Sequence, residues 1–288
     1  MIISTAEEMN PLRRSTMEDV HVVFPAGSWD NADMTYLAIY DGHGGRDMVD
    51  FLQHSLHHNV AYELRGMGQE GHRRGDNSSK CNEYKDETTT DDIAQRLERA
   101  FLATDIQAHK FGIHASGSTV ALCLIHHKAQ TLYTANVGDA RIVLGTTNTN
   151  QCPEATKFHA VPLSHDHRAD DPMEMKRIDQ AGGFCLKGRV VGVLAVARSL
   201  GDFGFKKFVI AKPYTQTYTL SSKADSDEHD HDFVILACDG LWDVMSNQDA
   251  VNLVRQSQLP KHQVAAELTQ LAIQKGTTDN VTVIVCWL

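Results

Sequence analysis

Several acidic residues of this 288-residue chain share one local setting: each stands where an apolar run begins or stops. Leu37-Ala38-Ile39-Tyr40 runs into Asp41-Gly42-His43-Gly44-Gly45, and Val234-Ile235-Leu236-Ala237-Cys238 runs into Asp239-Gly240. Val137-Gly138 leads to Asp139, Asp279 precedes the last apolar run, and Glu18 and Asp19 open the one at 20–24. Carboxylates gathered at one end of a sheet repel each other and are costly to ionise together without a cation. Carboxylate, carbonyl and water oxygens are the hard donors that suit Mg²⁺ or Mn²⁺. Asp-Gly is also ordinary turn chemistry, and spacing alone does not separate the two readings. What the pattern supports by itself is a divalent-metal site on a mostly antiparallel α+β domain.

The elements that must position these groups are legible as short runs rich in Val, Ile, Thr and aromatics. They cover 20–24, 34–40, 119–125, 131–137, 141–144, 233–238 and 281–288. Tight connections such as Val137-Gly138-Asp139-Ala140 argue for antiparallel pairing rather than βαβ repeats. Helical periodicity marks 46–64 (Val49, Leu52, Leu56, Val60) and 92–111 (Ile93, Leu97, Phe101, Ile106). A third helix spans 260–275, ahead of Gly276. A shorter one opens at Asp171-Pro172 and closes at Gly182-Gly183. Residues 65–90 are polar and glycine-containing and read as a mobile loop joining two antiparallel helices. The acidic stretch 221–232, with His229 and His231, reads as a solvated hairpin loop rather than a metal site. No repeat or long linker divides the chain, which is expected to form one domain over 1–288.

Composition narrows the function. Hydrophobic residues make up 42% and charged residues 22%, enough for a sizeable core. Lys and Arg number 27 against 37 Asp and Glu, a net charge of −10 that disfavours nucleic-acid partners. Apolar runs reach only six residues, far short of a membrane span, and the early Glu7 and Glu8 do not fit a secretory leader. The six cysteines are scattered, with no CxxC pair, and are read as reduced packing residues, which suggests a cytoplasmic or nuclear protein. Cysteine-phosphatase, dinucleotide, phosphate-loop, nucleophile-elbow and zinc-protease motifs are all missing.

The ordered set of motifs resembles the type 2C metal-dependent protein serine/threonine phosphatases, the PPM family. The matching segments are RSTMED at 14–19, DGHGG at 41–45, SGST at 116–119 and NVGDAR at 136–141. LAVARSLGD at 194–202, LACDGLWD at 236–243 and TDNVT at 278–282 complete the order. The wording at 133–144 and 276–283 is most like the short fungal members. The resemblance implies a central antiparallel β-sandwich flanked by helix pairs on both faces (a four-layer αββα arrangement), with the metal centre at one edge. It implies hydrolysis of phosphoserine and phosphothreonine by in-line attack of a metal-bridging water or hydroxide, without a phosphoenzyme.

Carried over residue by residue, Asp41 would bridge two Mg²⁺ or Mn²⁺ ions and the Gly42 carbonyl would bind one of them. Asp239 and Asp279 would complete the other, with Glu18 and Asp19 beside the pair, directly or through waters. Asp139, with Asp239 and Asp243, matches positions tied to a weaker third ion. Arg14 would clamp the phosphoryl oxygens and His43 would protonate the departing oxygen. His165 and His167 open the family's flap, about 164–189, and are read as solvated. Arg198, Ser199 and Asp202 are read as structural hydrogen-bonding residues, and Trp242 as core. Because only 13 residues precede Arg14, the first strand is expected to be short, with Glu18 and Asp19 loosely held. Implied partners are phosphoprotein substrates, with kinases of stress-response pathways suggested by the fungal likeness, and the chain is expected to act as a monomer. The rival readings are a catalytically silent binding protein on the same fold and a hydrolase of nucleotides or sugar phosphates. Retention of Arg14, Asp41, His43, Asp239 and Asp279 weighs against the silent form.

Overall fold

A computed structural model of the chain describes residues 1–65, 92–147, 158–220 and 232–288. The first half runs β1 (Ile2–Glu8), β2 (Asp19–Phe24), β3 (Met34–His43), α1 (Asp47–Leu64), α2 (Ile93–Phe111), β4 (Gly117–His126), β5 (Thr131–Val137) and β6 (Arg141–Thr146). Then come β7 (His159–Pro162), α3 (Pro172–Gln180), the short strands β8 (Cys185–Leu186), β9 (Arg189–Val190) and β10 (Leu200–Gly201), and β11 (Tyr214–Thr219). The chain ends with β12 (Phe233–Ala237), α4 (Asp239–Trp242), α5 (Asn247–Gln256), α6 (Val264–Gln274) and β13 (Val281–Trp287).

Apart from β8, which pairs separately with β9, the described residues form two large antiparallel sheets, in the orders β1-β13-β12-β6-β7 and β11-β5-β4-β3-β2, with β10 added against β4. Their facing sides bury Leu37, Ile39, Ala121 and Cys123 from one sheet against Ile142, Leu144, Val234, Leu236 and Ile284 from the other. The opposite sides pack on helices. Tyr36, Ala38 and Tyr40 meet Leu52, Leu56 and Phe101 of the α1–α2 pair. Ile235, Val283 and Val285 meet Val251, Val254 and Leu268 of the α5–α6 pair. Both faces of each sheet are covered, which is why its central strands read as unbroken apolar runs rather than alternating ones. This is the expected four-layer α+β sandwich. Among the described residues no helix is long and apolar enough to cross a membrane.

Some readings need correction. The first strand is not cramped: Ile2 to Glu8 pair residue for residue with β13, from Ile2↔Trp287 to Glu8↔Val281. Ile106 does not join the buried stripe of α2 but is 56% exposed. It sits five positions after Phe101, off the three-and-four spacing, and Thr104, Asp105 and Ala108 take its place. Helix α5 has no counterpart in the sequence reading, because only Ala250, Val251 and Val254 are buried along it. Its start was nonetheless marked: Ser246 caps it by accepting from the Asp249 amide at 3.1 Å. The edge strand β11 (YTQTYT) is polar and gave no apolar run. The expected loop at 65–90 and the acidic stretch at 221–232 lie almost wholly outside the described residues.

Candidate active site

Strand ends from both sheets deliver the carboxylates to one edge of the sandwich. Asp19 opens β2 and Asp41 lies near the end of β3, where antiparallel register sets them directly opposite each other. Asp139 follows β5 through Gly138, whose φ of +83° makes the turn. Asp239 begins α4 straight after β12, and Asp279 stands two residues before β13. The sheets are tied together here by the Thr282 hydroxyl, which donates to Asp19 Oδ2 at 2.7 Å.

The charges of this group act on one another. Burial first, then the neighbouring Asp239, Asp19, Asp139 and Asp279 carboxylates, hold the Asp41 carboxyl well above the usual range. Asp239 is raised in the same way, by burial and then by Asp139, Asp279 and Asp243. Burial pushes Asp19 up to about 6 against the opposing Thr282 hydrogen bond. It lifts Asp139 to about 6 as well, against the nearby Arg168 cation. An acidic floor of this kind is short of positive charge, and its oxygen-only donors are those a hard divalent ion takes. Gly42 adds a cradle: a Cβ there would overlap the Glu18 carbonyl and a Val49 methyl. Among the described residues no three His, Cys, Asp or Glu side chains close around a single point. The donors are spread along the floor, an arrangement compatible with Mg²⁺, which keeps several waters and takes one or two carboxylates.

The segment carrying Arg14 and Glu18 is stitched to the loop before β13. Asn280 accepts from the Glu18 amide at 2.9 Å and donates to the carbonyls of Met9 at 2.8 Å and Thr16 at 3.0 Å. Asn10 donates to the carbonyls of Thr277 at 2.9 Å and Asp279 at 3.1 Å. Glu18 and Asp19 are therefore firmly held, contrary to the expectation from the short N-terminal segment. Arg14 donates from Nε to the Thr278 carbonyl at 3.2 Å and from Nη2 to the Asp279 carboxylate. Neither asparagine was singled out in the sequence. Both are at least 95% buried, so their amides need partners, but that burial is visible only in the fold.

His43 ends β3 with Nε2 2.7 Å from Asp202 Oδ2, and Ser199 donates to that same oxygen at 2.5 Å. Ser199 and Asp202 thus make hydrogen bonds, as read, but to a residue of the site. Arg198 is structural: it pairs with buried Glu174 at 2.6 Å and donates to the Lys212 carbonyl. Asp243 is half exposed, and Arg168 spans it at 2.8 Å and Asp139 at 3.5 Å. His165 is exposed and pairs with Asp171 at 2.9 Å. His167 is a correction, because it is fully buried against the Gly138 carbonyl and burial pushes its pKa down to about 3. The segment expected to act as a flap contains α3, capped by Asp171 with Pro172 at its first turn, and the β8–β9 hairpin. Its small core joins Ile178 and Val190 to Ala197 and Val209. Trp242 is core, as expected.

Comparison with known proteins identifies the family and the fold. The family profile described as Protein phosphatase 2C matches residues 4–281. Protein phosphatase 2C homolog 1 of Saccharomyces cerevisiae is 35% identical over 301 residues, covering 99% of this chain and 93% of that protein. Its namesake from Schizosaccharomyces pombe is 34% identical over 284 residues, covering 97% of this chain and 71% of that one. The structure of a serine-threonine phosphatase 2C from Toxoplasma gondii superposes with a TM-score of 0.70 at 18% identity, over 99% of this chain and 94% of that one. That of a C. elegans sex determining protein superposes with a TM-score of 0.77 at 23% identity, and this chain spans 64% of it. The chain belongs to the protein phosphatase 2C family. It is accordingly a protein serine/threonine phosphatase, of a metal-dependent family, acting on phosphoproteins.

Proposed function

We propose that this chain hydrolyses phosphoserine and phosphothreonine with the help of two Mg²⁺ or Mn²⁺ ions held on its acidic floor, without a phosphoenzyme. The observation that carries the reading is the convergence of Asp41, Asp239, Asp19 and Asp139, all raised first by burial and further by neighbouring aspartates, beside Arg14 and His43. Asp41 would be shared between the ions, the Gly42 carbonyl would hold one, and Asp239 and Asp279 the other. Glu18 and Asp19 would stand beside them, and Asp139, Asp239 and Asp243 would form a weaker third position. Such ions supply positive charge and a water acidified toward neutral pH.

The remaining roles fall to side chains. Arg14 is anchored through Nε and Nη2, which leaves its Nη1 donors to bind phosphoryl oxygens and offset charge gathering there. His43 hands a proton to the serine or threonine oxygen, which is a poor leaving group as an alkoxide. Arg168 lies between Asp139 and Asp243 and offsets part of their charge, and it would stand beside an ion held by those carboxylates. The absence of a Cys-x5-Arg loop removes the usual alternative nucleophile.

The test is hydrolysis of a phosphothreonine peptide with EDTA, Mg²⁺ and Mn²⁺ in parallel. Turnover that requires the metal and far exceeds that on nucleotide monophosphates supports the reading. Folded protein that is inactive at millimolar metal, or active in EDTA, overturns it.

A further inference from the structure

We propose that Asp202, backed by Ser199, is a positioning residue that fixes the tautomer and direction of the His43 ring; this rests on the reading of His43 as the proton donor. The contact is built by three neighbouring strand segments. In the register of β3 with β4, His43 is opposite Gly117. In that of β10 with β4, Gly201 is opposite the same Gly117. The side chains of His43 and Asp202 meet over this glycine, because a Cβ at 117 would overlap both the Asp202 carboxylate and His43 Nε2. Glycine is required at that point by space, since its φ is not in the left-handed region.

Asp202 is fixed by its turn and by the groups packed around it. Its φ is +50°, left-handed backbone that is uncommon outside glycine and that aspartate tolerates better than most residues. Its amide donates to the Ser116 carbonyl at 3.2 Å, and its carboxylate is almost fully buried. The turn is braced from beneath by Asp105, which accepts from the Gly201 amide at 2.8 Å and from Lys206 at 3.0 Å. Lys206 in turn donates to the Ser199 carbonyl at 3.2 Å. Ser199, wholly buried, spends its hydroxyl proton on Asp202 Oδ2.

The consequence follows from imidazole chemistry, in which the hydrogen bond at one nitrogen decides what the other can do. The carboxylate keeps the proton on Nε2, so Nδ1 is the nitrogen left to exchange a proton with substrate. As the P–O bond breaks, its electron pair goes to the leaving oxygen, which takes the Nδ1 proton. His43 is left neutral with Nε2–H still on Asp202, the water oxygen forms the new bond to phosphorus, and the water's proton passes to solvent, from which Nδ1 is later reprotonated.

The experiment is a double-mutant cycle of His43→Gln and Asp202→Asn, read on a phosphothreonine peptide and on p-nitrophenyl phosphate, whose phenolate leaves without protonation. Asp202→Asn is expected to lower kcat on the peptide roughly 10–100-fold with little change in KM. The nitrophenyl ester is expected to be hydrolysed nearly as before, and the double variant to be no slower than His43→Gln alone. Equal losses on both substrates, or losses that multiply in the double variant, overturn the role of Asp202 while leaving His43 in place. Unimpaired peptide turnover by His43→Gln removes the underlying reading instead. Ser199→Ala, which leaves the carboxylate but not its anchor, gives the same selectivity at smaller size if Asp202→Asn does not fold, and its absence there counts against the proposal.

Discussion

Asp19 and Asp41 sit directly opposite each other on paired antiparallel strands, two carboxylates where a sheet ordinarily avoids like charges. Among the described residues no cation pairs with either: Asp19 receives the Thr282 hydroxyl, and Asp41 is surrounded by further aspartates. The fold therefore carries an electrostatic cost at this edge that a cation would remove.

That cost has a pH signature. In the metal-free fold Asp19 and Asp139 titrate near 6 rather than the ordinary 3.8, so between those values the folded chain holds protons that the unfolded chain has released. Stability should fall as pH rises through this window, with the full penalty present above it. The gain in Tm on adding Mn²⁺ should accordingly be larger at about pH 7.5 than at about pH 5, each kcal/mol counting for roughly 2–4 °C in a chain of this size. Calorimetry with and without the ion checks this, and an equal or larger gain at the acid pH contradicts it.

Asp239→Asn removes a charge from the floor while keeping the shape. Turnover on phosphopeptide should fall by at least about 10²–10³-fold even at saturating metal. The metal-free protein should become more stable, because Asp139, Asp279 and Asp243 lose a like-charged neighbour. Wild-type activity would sink the assignment of this residue.

Arg14→Ala should cost about 1.5–3 kcal/mol in phosphopeptide binding, read mainly as a raised KM. Lysine at this position restores charge but not the planar fork, and should recover only part of the loss. Unchanged KM and kcat in the alanine variant would refute the phosphate role.

Asn280 joins Met9, Thr16 and Glu18 to the loop that carries Asp279. Asn280→Ala leaves three backbone groups without that partner and should destabilise the protein by about 2–4 kcal/mol. It should also weaken Mn²⁺ binding, since Glu18 and Asp279 lose their common anchor. A denaturant titration and an ion titration of the same variant read the two effects separately.

The carboxylates were legible in the sequence because each follows or precedes an apolar run, and β3, β12 and β13 are buried along most or all of their length. Helices α1 and α2 were legible from their stripes. Helix α5 and strand β11 were not, since one buries only three residues and the other is an edge of Thr, Tyr and Gln. Three-dimensional partnerships were the least visible. The meeting of His43 with Asp202 depends on Gly117 in a third strand, and no spacing along the chain announces it. Likewise His167 is a polar residue in a polar stretch, and its burial, with Nδ1 beside the Gly138 carbonyl, is visible only in the fold.

The central claim is that this floor of aspartates is a cation site. Its most direct test is titration of chelator-treated protein with Mn²⁺ at neutral pH, the free ion being followed by its paramagnetic resonance. Two ions per chain bound well below millimolar concentration in the wild type, and fewer in Asp239→Asn, is the predicted result. Folded wild-type protein that leaves Mn²⁺ free at millimolar concentration would contradict it.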